Sequence, residues 1–200
     1  MDHSTYDYVV VGAGSAGSII ARRLAEQSDA NVALIEAGGD DRHWSVRMPA
    51  AVRYHYDLST RFNWHYWSTP QRHLDNRTIY QPRGKTLGGS SSINGMVFLR
   101  GHALDYELWN QQGASGWAYA DVVPYFKKLE CFQPHTDGYR GREGPVSVTR
   151  VAQLDPLGDA FLQAGIEAGY PFTDDVNGKQ QEGFCRFDMN AVSYTHLTLP

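Results

Sequence analysis

Two hydrophobic periods succeed one another in the first forty residues. Tyr6 to Val11 (YDYVVV) is rich in β-branched and aromatic positions, which predicts a short buried strand. After a glycine turn, Ala16, Ile20 and Leu24 recur at i, i+4 and i+8 within Ser15 to Gln27. Ser18, Arg22, Arg23 and Glu26 fall largely on the opposite face, the pattern of an amphipathic helix. Asn31 to Glu36 (NVALIE) predicts a second buried strand, closed by Ala37-Gly38-Gly39. Strand, turn, helix and strand within about thirty residues make a βαβ unit with a parallel pair. Further along the periods are less regular. Asp40 to Pro82 is crowded with aromatics and reads as a long connection with short helical pieces, its Tyr54 to Trp67 cluster expected to pack a core under the loop, with a substrate entrance as the lesser alternative. A glycine-serine turn at Gly88 to Ser92 leads into the apolar stretch Ile93 to Leu99. Helices are expected over Leu104 to Trp109, Tyr119 to Phe132 and Pro156 to Ala168, and a strand at Val146 to Val148.

This order predicts an α/β fold that opens on a parallel βαβ unit, with a change of domain near residue 145. The turn-rich break from Gly138 to Gly144 marks the change. No internal repeat or low-complexity tract is visible.

Composition narrows the functions. Of 200 residues, 42% are hydrophobic and 20% charged, with net charge −4, which suits a soluble globular chain. That balance lacks the basic footprint of nucleic-acid binding and any polybasic membrane anchor. No apolar run approaches the ~20 residues of a membrane span, and the first residues lack the pattern of a secretory signal. Cys131 and Cys185 stand too far apart in sequence for a disulfide framework or a zinc knuckle.

The chemistry concentrates in the glycine turn. Gly12-Ala13-Gly14-Ser15-Ala16-Gly17 matches G-x-G-x-x-G, leaving a predicted strand and opening a predicted helix. Gly12 serves the turn, Gly14 lets the backbone approach a pyrophosphate, and Gly17 lets helix and strand pack closely. Ser15 and Ala16 sit at the helix N-terminus, where unpaired N–H groups favour anions. Glu36 ends the second strand 19 positions after Gly17. Its carboxylate can accept from both ribose hydroxyls and would repel a 2′-phosphate, which favours FAD or NAD over NADP. The fingerprint alone does not choose between those two.

A second segment bears on that choice. Arg83 to Gly101 (RGKTLGGSSSINGMVFLRG) resembles the first signature of the glucose-methanol-choline flavoprotein oxidoreductases. The likeness continues through Glu107, Trp109, Gly113, Gly116-Trp117, Pro124-Tyr125-Phe126, Asp175, Asn177-Gly178 and Glu182-Gly183-Phe184. It covers roughly Tyr6 to Asn190 and is strongest toward the choline and other alcohol dehydrogenases of that family. The resemblance implies a doubly wound, parallel-sheet FAD-binding domain over residues 1–145 and the start of an α+β substrate domain over 146–190. It also implies an FAD cofactor, with Gly89 and Ser90 by the pyrophosphate and Asn94, Gly95, Met96 and Val97 along the isoalloxazine. Some relatives attach FAD through a histidine just before the asparagine of this loop. Ile93 stands there in this chain, so the expected FAD is non-covalent.

The implied reaction is oxidation of an alcohol CH–OH group, choline-like or aliphatic or aromatic, by hydride transfer to flavin N5. The electron acceptor, a quinone or another, is left open. An oxygen-using oxidase of the same family and a non-catalytic dinucleotide-binding module are the alternatives. The family's catalytic histidine is expected beyond Pro200, so no catalytic residue is assigned here. His196 is near the end of the chain but outside that family context. The remaining histidines show no metal-ligand spacing, and no metal is expected. The chain reads as the N-terminal part of a longer enzyme, with residues 191–200 a doubtful, non-native tail. Alone it is expected to fold weakly. A cytoplasmic location is expected, with loose attachment at the inner membrane surface as the second option.

Overall fold

The computed structural model describes residues 5–57, 61–134, 138–151 and 155–190. The expected non-native tail and His3, His135 and His196 lie outside the described residues. The chain packs as two compact units, dividing between Gly95 and Met96.

In the first unit, β1 (Tyr8–Val11), α1 (Ser15–Gln27) and β2 (Val32–Ile35) form the expected βαβ start. The strands are parallel, Tyr8 opposite Val32 and Val11 opposite Ile35. Two expectations need correction. The face that α1 presents to the strands is Gly17, Ala21 and Leu24, not Ala16, Ile20 and Leu24: Ala21 is buried, whereas Ile20 is 51% exposed. The helix docks through its smallest residues because it crosses the β1 turn too closely for larger ones. The strands are also more open than expected, with Val9 55% and Val11 81% exposed. Among the described residues only two strands pair in this sheet, so much of their apolar surface has no cover.

The long connection supplies α2 (Trp44–Arg47), a 3-10 turn at Pro49–Ala51 and α3 (Val52–Asp57). It also holds an antiparallel ribbon that the hydrophobic pattern does not announce, β3 (Tyr66–Trp67) against β4 (Tyr80–Gln81). Strands of two residues are too short to show a period. The interior here is partly polar. Buried His55 bonds the Ser45 carbonyl through Nε2 at 2.9 Å, and Asn63 Nδ2 donates to the His55 carbonyl at 2.7 Å.

The second unit is built on a four-stranded sheet of order β5-β8-β7-β6: β5 (Val97–Phe98), β6 (Glu130–Phe132), β7 (Val146–Arg150) and β8 (Asp188–Met189). Helices α4 (Ala103–Gln111), α5 (Tyr119–Leu129) and α6 (Pro156–Glu167) complete it. The helix expected to reach Phe132 stops at Leu129, because Glu130–Phe132 pair in parallel with Val146–Val148. That pairing buries the Glu130 carboxylate against two arginines, Arg100 Nη2 at 2.5 Å and Arg140 Nε at 3.0 Å. Arg140 also reaches Asp188 at 2.7 Å and lies 3.7 Å over the Phe132 ring. Helix α6 starts where Asp155 accepts from the Leu157 and Gly158 amides, with Pro156 following the cap.

Candidate cofactor site

The first unit brings its two glycine loops into contact. At the end of β1, Gly12 N donates to the Ile35 carbonyl at 2.7 Å, which ties the turn to β2. Helix α1 then begins without a side-chain cap and without an acid in its first turn. Three other helices start under a side-chain cap: Asp155 on α6, His102 on α4 and His43 on α2. Helix α1 therefore keeps the positive end of its dipole and its first N–H groups available. Gly17 is required by space, since a Cβ there would overlap the Gly12 carbonyl oxygen and come to 3.4 Å from Val10 Cγ1.

The second loop lies against this turn. Gly88 N donates to the Ala13 carbonyl at 2.8 Å, and Gly14 and Gly88 form a parallel bridge. Gly89 has φ +56, and a Cβ on it would stand 2.8 Å from Gly14 Cα. Glycine at both positions lets the two backbones touch. Gly89–Ser92 form a 3-10 turn, and Ser90 Oγ accepts from Gly84 N at 3.1 Å.

Glu36 braces the arrangement. Its Oε2 accepts from Ala13 N and its Oε1 from Gly38 N, each at 2.8 Å. Sequence spacing points this carboxylate at a ribose and does not reveal the two backbone bonds. Each oxygen can accept more than one bond, so the brace leaves capacity for a ligand hydroxyl.

These parts line a cleft of about 720 Å³ that includes Gly12, Gly14, Ser15, Ala16, Gly17, Glu36, Gly89 and Ser90. Trp64, Tyr66 and Arg83 form another part of its wall. Trp64 and Tyr66 stack at 5.7 Å with 9° between their planes, and Lys85 Nζ lies 4.5 Å over the Trp64 ring. The Tyr54 to Trp67 cluster divides between packing and lining: His55 and Phe62 are buried, while Trp64 and Tyr66 line the cleft. Sequence offers no signal for the pair: Trp64 precedes β3 and His65 between the two rings has φ +52, so strand alternation does not apply.

Four expected residues lie elsewhere. Asn94 and Gly95 follow buried Ile93 in the first unit, outside this lining. Met96 and Val97 belong to the second unit, where Met96 has φ +62 and its carbonyl accepts from Asn190 N at 3.0 Å. Bare amides at an uncapped helix start, two facing glycine loops and a carboxylate at the end of β2 fit a dinucleotide. Among the described residues, no group of His, Cys, Asp and Glu is placed to hold a metal, and no helix is long and apolar enough to cross a membrane. Both cysteines are free thiols, and burial pushes the Cys185 thiol above its ordinary pKa.

Comparison with known proteins is consistent with this geometry. Residues 6–194 match the family described as GMC oxidoreductase. An oxygen-dependent choline dehydrogenase of Sinorhizobium fredii is 52% identical over 178 residues, 89% of this chain and 32% of that protein. The protein of the same name from Photobacterium profundum is 49% identical over 184 residues, 91% of this chain and 32% of its own. Among solved structures, pyridoxine 4-oxidase from Mesorbium loti superposes with a TM-score of 0.85 at 33% identity, covering 93% of this chain and 36% of that one. An FAD-dependent oxidoreductase from Chaetomium thermophilum gives 0.82 at 32% identity, covering 93% and 33%. The chain thus spans about a third of the length of these relatives.

Proposed function

The chain belongs to the GMC oxidoreductase family, and on that premise we propose that it is the cofactor-binding part of an FAD-dependent enzyme that oxidises an alcohol. The substrate class is a choline-like, aliphatic or aromatic alcohol, in keeping with the names of the choline dehydrogenases it matches. When bound, FAD supplies the two-electron acceptor for the hydride leaving the alcohol carbon.

The protein's own residues hold and orient that group. The N–H groups at Gly14, Ser15, Ala16 and Gly17 face the pyrophosphate, with Gly12 shaping the turn. Glu36 accepts from the adenosine ribose. Gly89 and Ser90 close the phosphate site from the second loop, and Asn94, Gly95, Met96 and Val97 line the flavin ring. Ile93 is 3% exposed and offers no nucleophile, so FAD is held without a covalent bond. The proton taken from the alcohol goes to a residue outside this chain. We assign residues 1–145 to the FAD-binding part and 146–190 to the start of the substrate-binding part, and place the enzyme in the cytoplasm or loosely at the inner membrane surface.

The observation that carries this reading is the uncapped start of α1 opening into the cleft that Glu36 and the second glycine loop share. The test is steady-state oxidation of choline and of benzyl alcohol by the full-length protein, with a quinone or oxygen as acceptor. The reading predicts alcohol-dependent reduction of the flavin, and no reduction by either alcohol counts against it. An oxidase remains the second reading, because solved relatives include a pyridoxine 4-oxidase and a formate oxidase. Peroxide formed in proportion to the alcohol consumed would favour it.

A further inference from the structure

The segment assigned to the flavin ring is anchored from far along the chain. Met96 has φ +62, a backbone conformation that side chains other than glycine rarely adopt. Such a conformation persists only where the surroundings fix it. Three hydrogen bonds along this segment do so. Asn190 N donates to the Met96 carbonyl at 3.0 Å. Asn177 Nδ2 donates to the Phe98 carbonyl at 3.0 Å, and Asn177 Oδ1 accepts from Arg100 N at 2.8 Å. One carboxamide thus satisfies two backbone groups of alternate residues, as a neighbouring strand would.

Asn177 is itself held. It is fully buried, its N–H donates to Asp175 Oδ1 at 3.0 Å, and Asp188 Oδ2 lies 3.2 Å from its Nδ2. Asp188 accepts in turn from Arg140 at 2.7 Å and Arg150 at 3.1 Å. The position of the amide nitrogen is fixed by two acceptors, and that of the amide oxygen by one donor. The carboxamide cannot flip without losing all three bonds.

We propose that Asn177 is a positioning residue, holding the strand at Phe98 and so setting the Met96–Val97 backbone at the height where it meets the bound flavin. This rests on the assignment of Met96 and Val97 to the flavin ring. Asn177 touches neither cofactor nor substrate; it acts through Phe98 and Arg100.

The test uses the full-length protein with FAD bound and sulfite as the probe, since sulfite adds to oxidised flavin and bleaches it, placing negative charge on the ring. Backbone N–H groups aimed at that charge strengthen the binding. Asn177→Ala should keep its flavin, because the Glu36 and glycine-loop contacts are untouched, and should bind sulfite about tenfold more weakly. Asn177→Asp keeps the acceptor for Arg100 N but turns a carboxylate oxygen toward the Phe98 carbonyl and Asp188, 3.2 Å away, so its loss should be at least as large. If neither of these variants folds, the uncharged and smaller cut Asn177→Ser, whose hydroxyl is too short to hold both Phe98 and Arg100, decides alone. Gly165→Ala is the control for stability, because its Cβ would come to about 2.5 Å from the Phe184 ring and away from this segment. It should lower the melting temperature and leave sulfite affinity within about twofold. Folded, flavin-loaded Asn177 variants with parental sulfite affinity would overturn the proposal, as would a control that shifts it equally. A parent protein that holds no flavin would instead remove the assignment beneath it.

Discussion

Replacing Glu36 with glutamine separates bracing of the glycine turn from contact with a ribose. Both carboxylate oxygens accept a backbone N–H at 2.8 Å, from Ala13 and from Gly38. Glutamine keeps one acceptor and turns an NH2 group toward the other donor. One charge-assisted bond is lost and the second becomes neutral. Bonds to charged groups contribute about 1.5–3 kcal/mol and neutral ones about 0.5–1.5. The site is half-buried, so water recovers part of the loss, which leaves a net cost of about 2 kcal/mol to the local structure. Hydrogen–deuterium exchange of peptides spanning Ala13 and Gly38 reads this directly in the FAD-free protein. Protection should fall by about 30-fold, the factor that 2 kcal/mol represents when exchange follows local opening. A ribose contact would add a further loss, about tenfold in FAD affinity. Unchanged exchange in Glu36→Gln would refute the brace. A loss of protection with parental FAD affinity would leave the brace and remove the ribose.

Other substitutions probe the packing around the site and beyond it. Gly17→Ala forces its Cβ into the Gly12 carbonyl. It should destabilise the turn by about 1–3 kcal/mol despite the better helix propensity of alanine. Gly39→Ala meets nothing within 4 Å and should stay within about 1 kcal/mol of parent, as thermal unfolding of the pair would register. Arg140→Met strands the fully buried Glu130 and Asp188 carboxylates short of a partner, at a cost of about 3–5 kcal/mol in urea unfolding. A change under about 1 kcal/mol would mean that the remaining arginines compensate. Trp64→Ala removes one face of the cleft wall and should weaken FAD binding about fivefold to thirtyfold by fluorescence titration. Parental affinity would place that ring outside the cofactor's reach.

The βαβ start is legible because its signals are local: a β-branched run, a glycine turn and an acid at the second strand's end. All eight of the expected residues from Gly12 to Ser90 line one cleft, because G-x-G-x-x-G sets its own backbone geometry within a few residues. The contact between Gly14 and Gly89 is not legible, since it joins positions 75 apart through space left by two missing side chains. The orientation of α1 is misread for a related reason. Counting apolar residues favours Ile20, whereas close packing selects Gly17 and Ala21. Glu130 stands at the end of a convincing helical pattern, and only the distant Arg100 and Arg140 explain why it turns into a strand. Asn177 is visible as part of a family-like Asn-Gly pair, but its grip on Phe98 and Arg100 spans 77 to 79 positions along the chain.

The central claim is that this chain holds FAD through hydrogen bonds and packing alone. Acid precipitation of the purified full-length protein measures it most directly. The account predicts one FAD per chain, released intact into the supernatant with a colourless pellet. A protein purified and reconstituted without any flavin, or a yellow pellet that keeps the flavin on the polypeptide, would contradict it.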